Sequence, residues 1–174
     1  MIRTMIRAAM LRADAYEEVE ANKSATVQAM AIVVLVSIVT GIGATGLPVA
    51  EGQEMAPWSL MRMVNGVLGS LVCWALLALI TFVVGAKLLP SPETKANWGE
   101  LARTLGFAQT AGLLKLGGVI PGIGLLIFLL SFLMIFMASI IAIRQALDYS
   151  STLRAVVVGI ISFIPYVLIL SLFL

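Results

Sequence analysis

The chain has 174 residues, of which 61% are hydrophobic and 11% charged, with a formal charge of +2 and a mean hydropathy of +1.09. Soluble domains carry about half apolar and a quarter charged residues, so this balance excludes an ordinary soluble fold and describes an integral membrane protein. Histidine is absent and there is one cysteine, which removes the commonest ligands of haem, zinc and copper, the Ser-His-Asp and Cys-His catalytic arrangements, and any intrachain disulfide. No cofactor, metal or catalytic residue is implied, and so small a net charge gives no electrostatic reason to expect a nucleic-acid partner.

Residues 1–22 read as an N-terminal helical segment. Ile2, Met5, Ile6, Ala9 and Met10 recur at helical spacing, with Arg3 and Arg7 on another face. That pattern suits an interfacial amphipathic helix with its bases toward anionic lipid, or one packed against the protein's own polar loops. The acidic stretch that follows holds Asp14, Glu17, Glu18 and Glu20, and Asp14 can cap a second helical turn. A signal peptide is a poor match, because acidic residues intervene before the apolar run.

Residues 23–174 read as a five-helix transmembrane domain, making the fold all-α and polytopic. Ser24 is placed to cap the first span, residues 25–43. Gly41, Gly43 and Gly46 match a GxGxxG pattern, but a membrane helix precedes them and Pro48 follows, so clustered glycines ending a helix are the better account. After a loop with Glu51, Glu54 and Trp58, the second span runs over residues 63–88, with Arg62 snorkelling at its start. Gly66 and Ser70 form a small-xxx-small pair that fits close helix packing, within the chain or in a homodimer. Cys73 lies among apolar neighbours and reads as a small core residue.

Pro90 and Pro92 open a polar loop that carries Glu93, Lys95, Trp98, Glu100 and Arg103. The third span, residues 105–120, is short and includes Gln109, Thr110 and Lys115 with glycines at 106, 112, 117 and 118. A lysine deep in a span costs about 2.5–3.5 kcal/mol. Lys115 therefore sits near the far interface, faces the bundle interior, or marks a segment that does not cross; the first reading is preferred. Gly106 and Gly112 then make a narrow helix wedged among its neighbours, with Gln109 hydrogen-bonded inside the bundle. After Pro121 and Gly122 the fourth span, residues 122–143, holds no charge. Arg144 and Asp148 are four apart and can pair, Ser150 or Ser151 can cap the fifth span, and Pro165 interrupts that span over residues 155–174.

With the N-terminus cytoplasmic, nine Lys and Arg residues fall inside and two, Arg62 and Lys115, outside. Fusing the third and fourth segments into one re-entrant element would reduce this to seven against four. Five spans with the C-terminus outside obey the positive-inside rule better.

The order of parts, with RTLGFAQTAGLLKLGGVIPGIG, AIRQALDYSSTLRA and the acidic AYEEVEANKSAT, resembles the bacterial branch of the Yip family, the Ypt/Rab-interacting membrane proteins. The likeness covers nearly the whole chain through short motifs. It departs at Ala111, where bacterial relatives often carry proline, and around Phe132, where they often carry tryptophan. The resemblance implies a five-helix protein of the bacterial inner membrane. The GTPase-binding role of eukaryotic members is not carried over, because the N-terminal region here is short. A structural or interaction protein is the leading expectation, with the bilayer and a second copy or another membrane protein as partners. The alternative is a small transporter, channel or lipid-moving protein, with Arg62, Asn65, Gln109, Thr110 and Lys115 along a polar path. The residues singled out for function are Arg103, Gln109, Lys115, Arg144 and Asp148; for helix packing they are Gly66, Ser70, Gly106 and Gly112.

Overall fold

The computed structural model describes residues 1–47 and 60–170, in which every regular element is a helix. Pro48, Glu51, Glu54, Trp58, the side chain of Arg62 and residues 171–174 lie outside the described residues. A hairpin of α1 (Ile2–Ala9) and α2 (Ala13–Ala21) leads into five longer segments. These are α3 (Ala25–Ala44), α4 (Leu60–Phe82) prolonged by a π-helical stretch over Val83–Leu88, α5 (Trp98–Ala108) prolonged by a 3-10 helix over Gln109–Val119, α6 (Gly124–Ala146) and α7 (Thr152–Leu170). Among the described residues, three helices are long and apolar enough to cross a membrane: Ala25–Ala44, Met63–Leu88 and Gly124–Ala146. α7 contributes a shorter apolar helix, Thr152–Pro165, and runs on through Pro165.

The third segment is longer than the hydropathy pattern suggests. Asn97 accepts from the Glu100 amide at 3.1 Å while Glu100 accepts from the Asn97 amide at 2.9 Å, a reciprocal capping box that starts the helix at Trp98. Glu100 and Arg103 are therefore helical residues and not part of the expected polar loop. Beyond Ala108 the chain tightens into 3-10 winding, which rises about 2.0 Å per residue against about 1.5 Å in an α-helix.

Packing against α3 explains that winding. A Cβ on Gly106 would meet Ala29, one on Gly112 would meet Val36 and Ile135, and one on Gly118 would meet the Gly43 carbonyl. The two segments thus run side by side in the same direction. From Ala29 to Gly43 an α-helix covers about 21 Å, and from Gly106 to Gly118 the mixed α and 3-10 path covers about 23 Å, whereas an all-α path would cover only about 18 Å. Gly43 and Gly46 belong to this contact, since a Cβ on either would strike backbone at Lys115 or at Gly118 and Val119. α3 continues through Gly43 to Ala44, so Gly43 is a packing residue before it is a helix terminator.

Helix ends follow local rules that the sequence only partly signals. α6 closes with the Tyr149 amide on the Arg144 carbonyl and the Asp148 amide on the Gln145 carbonyl, a Schellman pair with Asp148 at φ +52°. The α1–α2 turn repeats it, with Arg12 on Arg7, Leu11 on Ala8, and Leu11 at φ +61°. Ser24 does not cap α3; its hydroxyl and amide both donate to Asn22 Oδ1.

The core lies between α3, α4, α5, α6 and α7, with Leu77, Leu101, Leu105, Phe107, Ile143, Leu147 and Val158 fully buried. Cys73 is buried there, as expected of a small core residue. Phe136 and Phe163 join α6 to α7 edge to face at 5.2 Å. Outward, the helices carry a belt of exposed large apolar side chains, among them Leu35, Leu68, Leu126, Leu133 and Ile160. A soluble helix would put polar residues there.

Candidate functional site

The hairpin and the bundle end it covers hold most of the structure's polar chemistry. α1 turns Met5 and Ala8 inward and leaves Ile2, Ile6 and Met10 exposed. Arg7 bridges to α2, with Nη2 on Asp14 at 2.7 Å and Nη1 on Glu18 at 2.6 Å, and Thr4 donates to Glu18 at 3.1 Å. The Arg7 guanidinium, through these hydrogen bonds, holds both carboxyls below the usual carboxylate range. Tyr16, fully buried, donates to the Ala8 carbonyl at 2.9 Å, and burial pushes its phenol pKa up.

Ala15, Tyr16 and Val19 form the buried face of α2, which packs on α5 and α6. Two side chains fasten it. Arg103 of α5 donates through Nη2 to the Glu20 carbonyl at 2.6 Å, placing a cation at the C-terminus of α2 where the helix dipole is negative. Gln145 of α6 donates to Glu17 Oε1 at 2.5 Å. Arg103 is 6% exposed and its Nε has no hydrogen-bond partner. Among the described residues it forms no ion pair.

Beside this joint opens a cleft of about 340 Å³ lined by Glu17, Glu20, Glu93, Arg144, Gln145, Asp148, Tyr149 and Ser150. Four carboxylates face one guanidinium there. Burial first, then the charges of Asp148, Glu100 and Glu17, push the Glu20 carboxyl up to about 7, with Arg103 opposing. No group of three or more potential metal ligands is present among the described residues. The cleft is therefore a charged surface without the ligand geometry of a metal centre.

Compared with known proteins, the chain matches no family model, no curated protein and no solved structure.

Of the residues expected to carry function, the fold gathers Arg103, Arg144 and Asp148 around the hairpin joint and leaves Gln109 and Lys115 apart. Arg103 is a buried clamp on α2 and not a loop charge. Arg144 and Asp148 share the cleft but do not pair; Arg144 reaches past the end of its helix to donate to the carbonyls of Tyr149 and Ser150 in the α6–α7 connection at 3.2 and 3.4 Å, and Asp148 takes the left-handed turn position. The helix ends at Ala146, which turns Asp148 out of i, i+4 register. Gln109 and Lys115 lie on the 3-10 helix, about two turns apart and away from the cleft. Gln109 makes no side-chain hydrogen bond among the described residues, against the expectation of one inside the bundle. Lys115 is half-buried with its ammonium 5.4 Å from the Phe128 ring centre, in the first turns of α6.

Of the packing candidates, Gly106 and Gly112 meet α3 as described, and Ser70 donates to Ser37 at 3.0 Å across the α3–α4 contact. Gly66 is exposed, and no atom of the described residues stands within 4 Å of where its Cβ would be, so among those residues it has no packing partner.

Sequence reasoning missed Tyr16, Tyr149 and Glu20. Tyr149 shares its hydroxyl proton between the carbonyls of Gly85 and Leu89 at 2.7 and 2.8 Å, tying the π-helical end of α4 to the α6–α7 turn. A lone tyrosine in a polar connection was the available signal, since a buried phenol needs a partner. Arg7 with Asp14 and Glu18 was readable as opposite charges on two short amphipathic turns.

Proposed function

We propose that this chain is a five-span protein of the bacterial inner membrane, of the Yip type, with its N-terminal hairpin cytoplasmic and its C-terminus outside. It works as a structural or interaction protein that organises the bilayer or a membrane complex, and not as an enzyme. The observation that carries this reading is how the polar side chains are spent: Arg103, Gln145, Ser70 and Tyr149 each join one helix to another. They assemble the bundle, while the hairpin end presents an open charged face.

The five-span count draws support from the third segment, whose α and 3-10 parts together reach about 38 Å, more than the roughly 30 Å of hydrocarbon. α7, with 19 residues, reaches about 28 Å. The quoted Yip-like stretch from Arg103 to Gly124 coincides with the glycine-packed third segment and its turn into α6. The outward Ile2, Ile6 and Met10 beside exposed Arg3 support an α1 lying in the headgroup layer. Gly66, open on the surface of α4, fits contact with a second copy or another membrane protein.

A second reading, a small transporter or lipid-moving protein, is favoured by Lys115 and Thr110. Lys115 has no carboxylate within ion-pair distance among the described residues, and the Thr110 hydroxyl is buried without a partner. Intramembrane polar groups of that kind are functional candidates. Native purification in mild detergent, with mass determination of what co-migrates, separates the two. A discrete homo-oligomer or defined partner supports the interaction role, and a lone monomer with tightly held lipid or solute supports transport.

A further inference from the structure

Glu20 stands where the hairpin meets the bundle, in the last turn of α2. Its surroundings are Glu17 on its own helix, Glu100 and Arg103 on α5, and Arg144 and Asp148 at the end of α6, with Glu93 and Tyr149 completing the cleft wall. Arg103 is committed to the Glu20 backbone carbonyl and not to its carboxylate. On the other face of α2 the charges of Asp14 and Glu18 are met by Arg7. The face toward the bundle is thus the one with unbalanced negative charge, and that crowding exists only while the hairpin is docked.

We propose that the α1–α2 hairpin is a proton-controlled latch, held on α5 and α6 while Glu20 is protonated and loosened when Glu20 ionises. Loosening uncovers the α5–α6 surface that Tyr16 and Val19 cover. A latch at the hairpin joint would work alike in a scaffold and in a transporter.

The direction follows from linkage. The docked carboxyl titrates at about 7 and the free one at 4.5, so docking is strongest below the free value. It weakens as pH rises from about 4.5 to about 7 and levels off above that. The full displacement corresponds to roughly 300-fold in the docking equilibrium, and screening of this half-exposed group reduces it to the order of tenfold.

The test is hydrogen exchange of the α2 amides in the full-length protein in nanodiscs of neutral lipid, corrected for the intrinsic pH dependence of exchange. Protection of α2 is expected to fall by about tenfold between pH 5 and pH 7.5 while that of α3 stays constant. Glu20→Gln should keep α2 protected across the range, and Asp148→Asn should move the wild-type midpoint to lower pH. Protection that is flat or rises with pH, or a Glu20→Gln protein that keeps the wild-type profile, overturns the proposal. Should Glu20→Gln not fold, an unmoved midpoint in Asp148→Asn overturns it equally.

Discussion

Two glycines two residues apart in α3 isolate the contact that holds the third segment in place. A Cβ on Gly43 would run into the carbonyl of Lys115, whereas a Cβ on Gly41 would meet no atom of the described residues within 4 Å. Both substitutions to alanine gain the same helix propensity, about 1 kcal/mol, so that gain cancels between them. What remains is the steric cost. Overpacking costs about 1–3 kcal/mol where side chains can adjust. Here the obstructing atoms are backbone, so the segments must separate, and the upper end, about 3 kcal/mol, is expected. Separation also loosens the neighbouring Gly46 and Gly118 contacts. SDS titration in mixed micelles, followed by far-UV circular dichroism and tryptophan fluorescence, reads this as a loss of more than a hundredfold in the folding equilibrium of Gly43→Ala relative to Gly41→Ala. Coincident titrations of the two variants would refute the close backbone crossing and with it the register of the 3-10 segment.

Arg103→Met should weaken hairpin docking by about 2 kcal/mol, the loss of a charged hydrogen bond at a helix C-terminus being offset by removal of an unpartnered buried Nε. Faster exchange confined to α1 and α2 would show it. Tyr149→Phe leaves two carbonyls at the π-helical end of α4 without their shared donor and should cost about 1–3 kcal/mol in the same SDS titration. Asp148→Gly should fold as well as wild type, while Asp148→Val should lose about 1–2 kcal/mol, because a β-branched residue resists the left-handed position. Acid acts on the hairpin in the opposite sense to the Glu20 latch. Asp14 and Glu18 are held below their ordinary values of 3.8 and 4.5 by Arg7, so their support is present above those values and is lost as pH falls through the lower folded ones. Exchange of the α1 amides should therefore quicken between pH 5 and pH 3, and added salt should do the same.

Much of the architecture was legible from one-dimensional pattern. Residues 25–43, 63–88 and 122–143 announce long apolar helices because a run of that length whose only charge is Lys87, at the very end of one of them, has few other stable states, and the structure places helices there within three residues at the boundaries. Gly106, Gly112 and Ser70 were readable as packing residues for the same kind of reason: small side chains in an apolar helix have little other use. The absence of histidine narrowed the chemistry without any fold.

Other features belong to the tertiary structure alone. The third segment looked too short because residue counts assume α-helical rise; only the glycine contacts with α3 draw it into the longer 3-10 path. Arg103 looked like a topology-setting charge because its partner, the Glu20 carbonyl, lies 83 positions away and is a backbone group that sequence does not distinguish. Arg144 and Asp148 looked like a helical pair because spacing alone does not reveal where a helix stops. Glu20 looked like one carboxylate in an acidic run. Its special position comes from burial beside Asp148 and Glu100, which only folding brings to it. The sequence by itself determined the membrane class and the helices, because local hydrophobicity and chain geometry act within one segment. Which polar groups meet was decided by long-range packing, and the candidate site is made of those meetings.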